Sequence, residues 1–171
     1  MSRKIRRITL MGVLTAIALT IFVIEAQIPP LTSVPGIKLG LANIVTLFAL
    51  MILGPKDAFI ILIIRVFLGS VFAGQIMTLA YSLTGGVLCL GIEALLIKTP
   101  LRKNLWAVSA IGATIHNAAQ ICVAVIITAT PGIFWYLPYL IIAGVITGTF
   151  TGAAVQLTIK KGEKIIKKLT A

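Results

Sequence analysis

The side chains able to do chemistry in this chain are few, and most of them sit inside long apolar runs. His116 and Gln120 are four residues apart and share one helical face, with Asn117 three residues from Gln120 on its flank. Such a set either hydrogen-bonds a polar solute, the imidazole serving as donor or acceptor, or bonds to neighbouring helices as packing glue. Arg65 keeps its charge wherever it is placed, so it must meet an anion, which Glu25, Glu93 or a bound ligand would supply. At about 1.5 Å of rise per residue, Glu25, Asn43 and Gln120 fall in the outer third of a bilayer. Arg65, His116 and Asn117 fall near its middle. Together they outline a polar cavity open to the outside, because polar groups at membrane depth face the protein interior or a wet void. Glu93 lies near the inner end of its run, where it is expected to snorkel or pair with Arg102.

The elements that carry these residues follow from composition. Of 171 residues, 59% are apolar and 11% charged, and the mean hydropathy is +1.12, which excludes an ordinary soluble domain. Six apolar runs read as membrane spans, at 8–28, 39–54, 58–74, 76–97, 106–129 and 136–159, followed by a basic tail at 160–171. The second and third are short and are separated only by Pro55, Lys56 and Asp57, a tight hairpin. The expected fold is a single all-α integral membrane domain over 1–171, a six-helix bundle.

Fifteen Lys and Arg stand against four Asp and Glu, a net charge of +11. With six spans, thirteen of the fifteen bases fall on one side, and the positive-inside rule makes that side the cytoplasm, with both termini there. The charge therefore marks topology and an anionic lipid surface, and nucleic acid is not an expected partner. Lys164, Lys167 and Lys168 flank Ile165, Ile166 and Leu169, a short amphipathic segment for the inner leaflet.

Two outer connections are candidates for a lid. Pro29 to Lys38 is stiffened by three prolines, and Lys38 either draws in an anionic group or is simply solvated. Pro131 to Tyr139 carries Phe134, Trp135, Tyr136 and Tyr139, suited to interface anchoring or to stacking on a flat ring; Trp135 and Tyr139 are candidate solute contacts. Gly144, Gly148 and Gly152 make a GxxxG ridge for close helix packing. Gly12 and Ala16, also four apart, could seat an internal helix or a partner subunit. Cys89 and Cys122 read as small apolar packers. There is no P-loop, no aspartate-rich pair and no HExxH, so neither ATP hydrolysis nor magnesium-dependent diphosphate chemistry is expected, and no metal or cofactor.

PGIKLGLANIVTLFAL at Pro35 to Leu50, LGPKDA at Leu53 to Ala58, RVFLGS from Arg65 and HNAAQ at His116 to Gln120 resemble the Gx transporter family, often labelled heptaprenyl diphosphate synthase component I. That family is similar to the substrate-binding S components of energy-coupling factor (ECF) transporters. The resemblance implies a six-helix subunit that captures a small solute at its outer side, while a coupling membrane protein and a pair of ATPases supply the energy. It also implies docking through small residues of the first helix, by position Gly12 and Ala16.

The expected function is therefore solute binding for an importer, with Lys38, Asn43, Arg65, His116, Asn117, Gln120, Trp135 and Tyr139 as the contact set. The solute would be a vitamin, flavin or quinone precursor. The rivals are a proton-coupled carrier using Glu25 and His116, and a non-catalytic accessory subunit of prenyl-chain synthesis.

Overall fold

A computed structural model describes residues 2–27, 38–74 and 76–170. The described residues form helices α1 (Arg3–Gln27), α2 (Asn43–Ile52), α3 (Pro55–Phe72), α4 (Ile76–Leu96), α5 (Leu105–Thr128) and α6 (Leu137–Thr170), with 3₁₀ turns at Pro100–Lys103 and Pro131–Tyr136. Among the described residues all regular structure is helical, and α1, α4, α5 and α6 are long and apolar enough to cross a membrane. α2 is short, with ten residues, and α3 carries Lys56, Asp57 and Arg65 within its eighteen.

The turn between α2 and α3 shows how local chemistry sets the hairpin. Gly54 adopts φ 92°, a left-handed conformation that a side chain disfavours, and Pro55 then starts α3 where its missing N–H costs nothing. Asp57 in the first turn of α3 receives the Arg7 guanidinium, with Arg7 Nη2 donating to Asp57 Oδ1 at 2.6 Å. This ion pair joins the first turns of α1 and α3, which run parallel. Further along the same pair of helices, Phe22 covers Gly69 so closely that no side chain would fit there.

α5 and α6 form the most extensive helix pair. The glycine ridge sets it: Gly144 lies against Ala113 and Asn117, Gly148 against Ser109 and Ala110, and Gly152 against Leu105 and Ser109. Ser109 and Thr151 share a hydrogen bond across this seam at 2.9 Å, and Gln156 Oε1 accepts from Leu105 N at 2.9 Å. Close backbone approach through small residues is how helices attract one another where lipid is as apolar as leucine.

Three sequence expectations change. The second helix begins at Asn43 rather than near Leu39, because Gly40 takes φ 78° and breaks the helix. The basic tail continues α6 as one helix of 34 residues rather than standing apart from it. Cys122 is exposed, so it does not pack the interior, whereas Cys89 is buried. The proline-rich connection at 28–37 and the side chains at 164–170 lie outside the described residues, and so do the lid and amphipathic expectations that fall there.

Candidate functional site

α1, α2, α3, α4 and α5 converge just inside one end of the bundle, and there the apolar interior is interrupted. Lys38, Asn43, Arg65 and His116 line one small cavity with Glu25, Phe22, Gly40 and Ser82. Its volume is about 10 Å³, room for about one water.

The break before α2 explains why these groups meet. Residues 38–42 leave backbone N–H groups without helical partners, and a buried unsatisfied amide is costly. Glu25 accepts from Gly40 N, and Gln120 Oε1 accepts from Lys38 N at 3.1 Å. Gln120 Nε2 then donates to His116 Nε2 at 2.7 Å, which assigns the His116 proton to Nδ1. His116 Nδ1 rests against the backbone at Gly85, a position that tolerates no larger side chain: a Cβ there would stand 2.8 Å from that nitrogen.

Arg65 is 2% exposed. Its Nη2 donates to Asn43 Oδ1, and its Nε has no hydrogen-bond partner. Glu25 and Glu93 act on it electrostatically. Of the expected anions, neither carboxylate forms an ion pair with it among the described residues, and its direct partner is the Asn43 amide. Lys38 is 8% exposed, and its Nζ stands 3.5 Å from the centre of the Phe22 ring without making a hydrogen bond. It lies in the connection outside the helices, where burial pushes its ammonium down to about 8 against the opposing pull of Glu25.

Of the eight expected contact residues, four line the cavity: Lys38, Asn43, Arg65 and His116. Gln120 stands behind them and positions His116 and Lys38. Asn117 turns to α6 instead, where Nδ2 donates to Leu140 O at 2.7 Å beside Gly144. Trp135 and Tyr139 are 83% and 73% exposed and do not line the cavity, in keeping with aromatics that anchor at an interface. Glu93 is also corrected. It is buried beside Cys89 and faces Gly112 of α5, which has no side chain to exclude it, while Arg102 is exposed.

Glu25, Phe22 and Ser82 complete the wall although the contact set omitted them. Phe22 and Glu25 are three apart on one face of α1, a spacing visible in the sequence. Among the described residues no three His, Cys, Asp or Glu side chains converge to hold a metal.

A second void, about 240 Å³, runs between α1, α2 and α6. It is almost wholly apolar, lined by Leu14, Ile17, Ile21, Ile44, Phe48 and Val155 among others. On the same helix Gly12 and Ala16 are exposed, so neither seats an internal helix.

The family profile of heptaprenyl diphosphate synthase component I matches residues 14–158, from the middle of α1 into α6. The chain belongs to that family. No curated protein and no solved structure matches it. The matched stretch contains every cavity-lining residue.

Proposed function

We propose that this component I chain is a solute-binding membrane subunit, similar to an S component, of an ATP-driven importer, and that it has no catalytic activity of its own. It crosses the membrane six times, with α2 and α3 as the two remaining spans and both termini in the cytoplasm. The solute enters from the opposite side, and its binding wall is Lys38, Asn43, Arg65 and His116, with Gln120 behind. One observation carries the reading: four ionisable side chains and an amide are buried around one void near an end of an apolar bundle, where such groups are costly without a task.

The absence of a P-loop supports a division of labour in which a coupling membrane protein and ATPases supply energy. The exposed Gly12 and Ala16 face of α1 is the proposed docking surface. Purification from native membranes under mild detergent tests this: a coupling protein and ATPases should accompany the chain, and native mass spectrometry should find a retained small molecule. Uptake by the isolated chain in ATP-free liposomes under a proton gradient would replace the importer reading with a carrier. The family description favours a second reading, an accessory role in prenyl-chain synthesis. Stimulation of a soluble prenyl transferase by the added chain would support it.

A further inference from the structure

We infer that the solute meets the cavity through an anionic oxygen group, a carboxylate or a phosphate, received by Lys38 Nζ, Arg65 and Asn43 Nδ2. This rests on the solute-binding reading and names the class of molecule it requires.

The argument is one of donors and acceptors. Lys38 Nζ, Asn43 Nδ2 and Arg65 Nε come from the connection, α2 and α3, all on residues more than nine-tenths buried, and none has a hydrogen-bond partner. All three are donors. Each acceptor of the same wall already takes at least one bond: Glu25 takes the amides of Gly40 and Leu41, Asn43 Oδ1 takes Arg65, and His116 Nε2 takes Gln120. A water in the cavity has two lone pairs for these three donors, and its own hydrogens would compete for Glu25, Asn43 Oδ1 and Ser82. An anionic oxygen has lone pairs only and fits the demand.

Charge points the same way. Two cations, Lys38 and Arg65, face the void against one carboxylate, Glu25, while Glu93 acts on Arg65 from outside the cavity wall. Because the volume admits about one oxygen, the group enters by its tip and the body of the solute stays outside the cavity.

The test uses the purified full chain in nanodiscs of uncharged lipid, with benzoate, phenyl phosphate and benzamide as probes read by thermal shift. Benzoate or phenyl phosphate should stabilise the protein, the stronger one distinguishing carboxylate from phosphate, and benzamide should not. Lys38→Met should weaken anion binding at least tenfold, Lys38→Arg should keep it within a few-fold, and Asn43→Asp, which places a competing carboxylate beside Arg65, should abolish it. Equal binding of benzamide, or unchanged benzoate binding by folded Lys38→Met, overturns the inference. If no anion binds but the chain retains a neutral solute in native mass spectrometry, the anion falls and solute binding stands. If neither is found, both fall.

Discussion

Replacing Gly148 by alanine tests the α5–α6 seam that holds His116 in place. A Cβ at Gly148 would stand 2.6 Å from Ala110 Cα and from Ser109 O, whereas unstrained carbon contacts lie at about 3.5 Å or more. The obstacle is backbone on both counts, so no rotamer change relieves it and the helices must part by roughly 1 Å. Parting stretches the Ser109–Thr151 bond and the Asn117–Leu140 bond that cross the same seam. Overpacking costs about 1–3 kcal/mol, and each weakened interhelical bond about 0.6 kcal/mol. Alanine returns at most about 1 kcal/mol through helix propensity. The net expectation is a loss of about 2 kcal/mol. Gly12→Ala is the control, because a Cβ there meets nothing; it should be neutral or slightly stabilising. Both are read by thermal or denaturant unfolding in one detergent. If Gly148→Ala matches the wild type, or Gly12→Ala loses as much, the close seam is not the source of stability.

Gln120→Leu should reduce affinity for the native solute at least tenfold, measured by isothermal titration, because it frees both His116 and the Lys38 backbone from their positions. Arg7→Ala should lower the melting temperature, and raising salt should narrow the gap, since the Arg7–Asp57 pair is half open to water on the arginine side. Binding of an anionic probe should decline as pH rises through about 8, where Lys38 loses its proton beside Glu25, Arg65 and His116; Lys38→Arg should flatten that profile. The sign for folding is opposite. The Lys38 value is lowered from its ordinary 10.5, so the unfolded chain holds more protons between these values and the empty bundle gains stability as pH rises there. Gly12→Leu should leave melting unchanged yet reduce co-purification of partner subunits.

Sequence periodicity and punctuation carried much of the architecture. The long apolar runs became α1, α4, α5 and α6, and LGPKDA became a hairpin turn because Gly54 and Pro55 each suit one backbone conformation. Asn43, Arg65 and His116 were recognisable as candidates because polar groups are scarce in such runs, and Lys38 as the one base of its connection; the four do meet. Orientation around each helix was less visible. Whether Asn117 faces the cavity or α6 depends on Gly144 across the seam, and whether Glu93 turns inward depends on the space at Gly112. Neither is encoded in the helix that bears the side chain. Trp135 and Tyr139 follow α5 in sequence, but Trp135 in the 3₁₀ turn at Pro131–Tyr136 and Tyr139 in the first turn of α6 are both exposed.

The brevity of α2 has a consequence of its own. Ten helical residues span about 15 Å, half of a hydrocarbon layer of about 30 Å. On the six-span reading, the remaining depth at that point is guarded by irregular backbone held in place by side chains borrowed from α1 and α5. On the solute-binding reading, a guest arriving there meets a half-thickness barrier, and the tethers that hold the barrier shut, Glu25 and Gln120, act on the same stretch of backbone that presents Lys38 and Asn43 to it. Doorway and receptor are then one piece of chain, and a mutation that loosens the latch also erodes the grip.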